Sequence, residues 1–192
     1  MSLTVEKCLQ AWSNSLRQLN VKADIVFFGD SLTYYVDFAS VFPNKTVCNL
    51  GLRGDTIEGM ISRVDQLNIL GPDKIYLMAG INDVATSELS RFKDLFEKLI
   101  VSIRRIAPHS ILFIQSILPV NDIDFTISSH NNQIVVCNSI LKDLALENNL
   151  QYLDLFPLYN NHGLLDASMT TDGLHLKKEA YHLWYSKIVS ES

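Results

Sequence analysis

Ser31, Asn82, Asp172 and His175 are the residues of this chain whose types and placing suit chemistry. Ser31 stands in "DIVFFGDSLTYY", residues 24–35, just past an apolar, β-branched and aromatic run that stops at Gly29. Such a run bounded by a glycine predicts a strand covered on both faces, Asp24 to Phe28. A serine just past that strand sits at the edge where open parallel sheets bind ligands, which makes it a candidate nucleophile; a turn serine capping the next helix is the plainer reading. Asp172 and His175, in "DGLHL", are three residues apart. Within one turn that spacing lets a carboxylate hold an imidazole in a single tautomer, and the pair would supply the base that a serine hydroxyl needs. Taken singly, Asp172 could cap the last helix and His175 could be a surface or core histidine. Asn82, in "GIND", carries two amide N–H donors, and Gly51 and Gly54, in "GLRGDT", let a backbone N–H approach a ligand with no side chain in the way. Asn82 and Asp83 also fit as turn residues.

These groups need a frame, and the pattern of the chain predicts one. Strands are expected at residues 24–28, "TVCNL", "KIYLMA", "ILFIQS" and "QYLDL", with helical patterns between them. The clearest helix is Arg91 to Ile106, where Phe92, Leu95, Phe96, Leu99, Ile103 and Ile106 form one stripe, Ser90 offers a cap and Pro108 follows the end. Val5 to Leu19 shows helical spacing before the first strand. Strand and helix alternating at this rhythm predict right-handed crossovers, hence a parallel sheet with helices on both faces. Each chemical residue then lies at a strand exit or in the last loop. The long polar connection from Pro119 to Gln133 is expected at the same edge, its Asn121, Asp122, Asp124, Ser128, Ser129, His130 and Asn131 suited to hydroxyl-bearing substrates.

Composition removes several classes of function. The chain has 192 residues, 47% of them hydrophobic, which is enough for one well-buried core and short for two, so one domain over 1–192 is expected. A net charge of −5 without a basic cluster argues against nucleic acid as a partner. No apolar run approaches the roughly 18 residues that span a bilayer, and the amino terminus shows no basic segment followed by a hydrophobic one. A soluble protein is expected, with its compartment left open. The cysteines Cys8, Cys48 and Cys137 are odd in number and lack C-x-x-C spacing, so they read as small buried hydrophobes, with neither a disulfide framework nor a metal site suggested. The glycines of "GLRGDT" lack the lysine of a phosphate loop, so no nucleotide cofactor is expected.

In order, "FGDSL", "GLRGDT", "GIND" and "DGLHL" resemble the four signature blocks of the SGNH subgroup of GDSL esterases and lipases. In general look the chain is most similar to small acylhydrolases related to platelet-activating-factor acetylhydrolase and to carbohydrate O-acetylesterases. The resemblance implies a flavodoxin-like three-layer α/β/α sandwich around a parallel sheet of about five strands. It implies a triad of Ser31, His175 and Asp172, with oxyanion donors from the backbone N–H groups of Ser31 and Gly54 and the side chain of Asn82. Asp30 is expected to support the turn by bonding nearby backbone, and Asp55 and Asp83 to do likewise. The expected activity is hydrolysis of a short-chain acyl ester, an acetyl ester on a polar or carbohydrate alcohol, with a small-molecule substrate and neither cofactor nor metal. A thioesterase or lysophospholipase using the same triad is the enzymatic alternative; a silent binding module of the same fold would be expected to lack one of these residues.

Overall fold

A computed structural model describes residues 21–84, 88–121 and 130–191. Its centre is a parallel sheet of five strands: β1 (Ile25–Gly29), β2 (Val47–Gly51), β3 (Lys74–Met78), β4 (Ile111–Gln115) and β5 (Gln151–Leu153), in the order β2-β1-β3-β4-β5. All five lie within a residue or two of the predicted runs. The chain leaves β1 toward one side to form β2 and returns to the other side for β3. That reversal opens a crevice beyond the carboxyl ends of β1 and β3, where this topology binds ligands.

Strand alternation sorts the apolar residues into two layers. Val26 and Phe28 of β1, Ile75 and Leu77 of β3, and Leu112 and Ile114 of β4 face one side; Ile25, Phe27, Tyr76, Met78 and Phe113 face the other. The first face is covered by α2 (Ile57–Ser62), α3 (Asp65–Leu70), α5 (Leu89–Ile106) and α6 (His130–Glu147). The second is covered by α1 (Ser31–Tyr34), the 3₁₀ turn Phe38–Val41 and α8 (Tyr181–Ser190). The short helices α4 (Ile81–Val84) and α7 (Phe156–Tyr159) and the antiparallel pair β6 (Asn160–Asn161) and β7 (Leu164–Leu165) lie between these elements in sequence. Phe38, Phe27, Tyr76 and Phe113 stack in a row across three strands, with centroids 3.5, 4.8 and 4.5 Å apart. Trp184 of α8 is fully buried on that side and donates its indole N–H to Gln115 Oε1 at 2.6 Å. Truncating a side chain of this size in a core costs about 3–5 kcal/mol, so Trp184 fastens the helix that follows His175.

Four expectations change. Helix α5 begins at Leu89 with Glu88 at the cap position and no side-chain cap bond, so Ser90 is a helical residue and not the cap. The polar connection is shorter than 119–133, because His130 to Gln133 already belong to α6. Asn131 and Asn121 face inward: Asn131 bonds both the N–H and the C=O of Val120, at 2.9 and 2.8 Å, and Asn121 Nδ2 donates to Leu165 O at 2.7 Å. Their amides satisfy buried backbone groups and do not face substrate. Asp122, Asp124, Ser128, Ser129 and the helix from Val5 to Leu19, with Cys8, lie outside the described residues. Cys137 is buried as expected, whereas Cys48 is only half-buried, because β2 is the edge strand of the sheet.

Candidate active site

The serine side is built by the end of β1. After Gly29 the chain turns directly into α1, and Asp30 caps that helix by accepting from Leu32 N at 2.9 Å. Ser31 is therefore the first helical residue, held with its Oγ at the crevice and only 6% exposed. Burial pushes the Asp30 carboxyl up to about 7, against the Leu32 N–H bond that favours the charged form. Its Oδ2 has no hydrogen-bond partner among the described residues.

The histidine side is a loop, not a helical turn. Asp172 Oδ1 accepts from the backbone N–H groups of Leu174 and His175 at 3.0 and 2.7 Å, which curls the loop back on itself. Gly173 takes φ +84°, a conformation open to glycine at little cost, and this reversal brings the two side chains together. His175 Nδ1 then lies 2.6 Å from Asp172 Oδ2, and His175 Nε2 lies 2.9 Å from Ser31 Oγ. Partial burial works to raise the Asp172 carboxyl, but the bonds from the His175 ring, His175 N and Leu174 N outweigh it and hold the carboxyl below its ordinary value. Thr170 Oγ1 donates to His175 O at 2.8 Å and accepts from Gly173 N at 2.9 Å, and Asn121 N donates to Gly173 O at 2.7 Å. Asp172 thus caps no helix; the last helix begins only after the 3₁₀ turn Lys178–Ala180.

Opposite the histidine, Gly54 turns at φ +69°, and Asn82 Nδ2 donates to Asp55 O at 2.8 Å, which joins the third strand exit to the second. Among the described residues no carbonyl accepts from the N–H of Ser31 or of Gly54. Behind this edge lies a buried polar layer. Asp83 accepts from Ile57 N at 3.2 Å, and burial pushes its carboxyl up to about 6 despite that bond. Asp55 accepts from Thr56 N at 3.1 Å and pairs with Arg63 Nε at 2.7 Å. Burial pushes the Asp55 carboxyl up and the Arg63 guanidinium down, each opposed by the charge of the other. Asp30, Asp55 and Asp83 all bond backbone N–H groups.

A groove of about 430 Å³ runs beside His175 and Asp172, between Tyr35, Asp37, Lys178 and Tyr185. Tyr35 meets the His175 ring edge-on with centroids 5.4 Å apart, and the Arg53 guanidinium lies 5.7 Å from the Tyr35 ring centre. Arg63 is the residue that sequence reasoning missed. Its only signal is an arginine set among Ile57, Met60, Val64 and Leu67, apolar positions of α2, of α3 and of the junction between them. Among the described residues no group of three or more His, Cys, Asp or Glu side chains is placed to hold a metal ion, and no helix is long and apolar enough to cross a membrane.

Residues 27–183 match the model of the GDSL-like Lipase/Acylhydrolase family. The chain belongs to this family. A provisionally named platelet activating factor from Streptococcus pneumonia is similar in structure, with a TM-score of 0.84 and 26% identity over 100% of this chain and 99% of that one. A GDSL-like lipase from Bacteroides thetaiotaomicron gives 0.77 and 19% over 95% and 96%. An acetyl xylan esterase from Geobacillus stearothermophilus gives 0.73 and 16% over 90% and 96%. The last two likenesses concern the fold. No curated protein matches the sequence. This member of the GDSL-like family is an ester-hydrolysing enzyme with the flavodoxin-like α/β/α sandwich expected of it.

Proposed function

We propose that this family member is a single-domain serine esterase working through Ser31, His175 and Asp172, and that it removes a short acyl group, acetyl above all, from a polar or carbohydrate alcohol. The unbroken relay from Ser31 Oγ to His175 Nε2 at 2.9 Å, and from His175 Nδ1 to Asp172 Oδ2 at 2.6 Å, carries the reading. A serine hydroxyl needs a base within hydrogen-bond reach, and a buttressing carboxylate fixes that base in the tautomer whose Nε2 accepts. As Ser31 Oγ attacks the ester carbonyl, its proton passes to His175 Nε2 and negative charge develops on the carbonyl oxygen. The N–H groups of Ser31 and Gly54 and the second N–H of Asn82 receive that charge; one such donor is typically worth about 3–4 kcal/mol in the transition state. His175 then protonates the departing alcohol. Water, deprotonated by the same nitrogen, releases the acid from Ser31.

The alcohol side of the substrate must lie within reach of His175 Nε2, and the groove at that point is lined by tyrosines, a carboxylate and an ammonium. Such groups suit hydroxyl-rich partners, which bond polar tips and pack against aromatic rings. This groove supports the polar alcohol. Hydrolysis of p-nitrophenyl esters of graded chain length tests the acyl side: kcat/KM is expected to peak between acetate and butyrate and to fall steeply by octanoate. Because each buried methylene favours a longer chain by about 0.8 kcal/mol, an optimum at octanoate or beyond would replace the short-acyl reading by the thioesterase or lysophospholipase one.

A further inference from the structure

Arg63 touches no reacting atom, yet its contacts converge on the parts that place the oxyanion donors. Its side chain is 3% exposed, and its guanidinium lies 4.3 Å from the Phe28 ring centre. Nη2 donates to Gly29 O at 3.0 Å, Nη1 to Leu50 O at 2.9 Å and to Gln66 Oε1 at 3.2 Å, and Nε to Asp55 Oδ2 at 2.7 Å. Gly29 lies two residues before Ser31, Leu50 is the last residue but one of β2, and Asp55 follows Gly54 directly. Asp55 in turn holds Asn82 through its own carbonyl at 2.8 Å.

We propose that Arg63 is a positioning residue for the oxyanion site, locking the exits of β1 and β2 together and fixing Asn82 through Asp55. The inference rests on the oxyanion reading of Asn82 given above. Gly29 O already accepts from Leu52 N at 3.0 Å, so the bond from Arg63 is not needed to rescue an unpaired carbonyl. Burying an ion pair is a poor way to gain stability, since well-packed apolar residues of similar volume often do as well or better. What the guanidinium offers is a rigid plane whose donors point along fixed directions to three separate chain segments, a task beyond the single ammonium of lysine. Oxyanion donors act through being fixed before the charge appears, so a loss of a few tenths of an ångström in their placing lowers kcat while leaving ground-state binding alone.

The test combines Arg63→Lys and Asp55→Asn, each alone and with Asn82→Ala. The readouts are kcat and KM on p-nitrophenyl acetate, counted per active site by exhaustive fluorophosphonate labelling, together with Tm. Asp55→Asn keeps the carbonyl that holds Asn82 and removes the charge, so it serves if Arg63→Lys does not fold. For either variant the expectation is a 10- to 100-fold loss in kcat per labelled site, KM within about twofold, and less than a threefold further loss when Asn82 is already alanine. A lower Tm with unchanged kcat per labelled site would make Arg63 a purely structural ion pair. Losses that multiply on the Asn82→Ala background would equally overturn the route through Asn82. An unchanged kcat in Asn82→Ala alone would defeat the oxyanion reading first, and that result is independent of Arg63.

Discussion

On the histidine side of the site, the side chains of His175 and Asp172 are 27% and 46% exposed, and a loop braced by Thr170 and Asn121 carries them. On the amide side, the Arg63 and Asp55 side chains are 3% and 5% exposed and bonded to strand ends. The contrast follows from what each half does in the proposed reaction. His175 must serve first Ser31 Oγ and then the leaving oxygen, so its ring needs some freedom and its carboxylate needs to stay ionised. The donors on the other side move no proton. They contribute by standing still, and a water-excluded, charge-clamped layer keeps them so.

The largest expected effect breaks the histidine half. Ser31→Ala and His175→Ala each lower kcat for p-nitrophenyl acetate by about 10⁴-fold or more, and the double variant adds little, because the residues act as a unit. Multiplying losses would show that they work separately. Asp172→Asn follows, with a loss of about 10³- to 10⁴-fold from the wrong tautomer at Nδ1, read in the same steady-state assay. Asn82→Ala strikes the other half and costs roughly 10²- to 10³-fold in kcat with KM nearly unchanged; a rise in KM at constant kcat would make Asn82 a ground-state contact.

The smallest effect concerns stability and sharpens the contrast in burial. The folded protein binds the Asp30 proton more tightly than the unfolded chain does, since burial raises that carboxyl to about 7. Its contribution to stability is therefore complete below the unfolded value of about 3.9, and is lost as pH rises through the folded one. An asparagine in its place would mimic the protonated acid at every pH. Asp30→Asn is accordingly expected to leave Tm little changed at pH 4 and to raise it by about 5 °C over the wild type at pH 8 in thermal unfolding. The same difference at both pH values would remove the burial cost from Asp30. Asp172, already held in its charged form, should show no such gain on conversion to Asn at alkaline pH.

Much of this frame was legible in the sequence because its signals are local. Five apolar runs became five strands, and the residues at their exits sit where alternation of strand and helix placed them. Ser31, Asp172 and His175 were readable only together: each type is common in turns and caps, and their joint placing at strand exits and in the last loop singled them out. Arg63, just past the end of α2, was not, since nothing near it in the chain says that its long side chain would turn inward to meet Gly29 and Leu50, which are 34 and 13 residues away. The inward role of two amides of α6, one of them read as a substrate contact, was hidden for the same cause. Asn131 and Asn138, two helical turns apart, bond both backbone groups of Val120 and of Ile117, acting as a strand would on the segment after β4. An asparagine in an apolar stripe looks polar and available until the backbone it satisfies is seen. Asn121 and Asn131 therefore pointed at substrate for want of a visible partner inside the protein.

Ser31 and His175 are 144 residues apart in the chain, so the contact between them is among the longest loops that folding has to close. Closure of long loops comes late and slowly, after local pairings have formed. All five strands of the sheet lie before residue 154, whereas the histidine arrives with the last loop and the helix that Trp184 fastens. Esterase activity is thereby a clock for the end of folding: on dilution from denaturant it should return no sooner than the far-ultraviolet circular dichroism of the sheet and helices. A chain stalled on the ribosome before residue 175 holds every strand of the sheet but lacks the base of the proposed triad, so no esterase activity is expected of the nascent enzyme until its fold is complete.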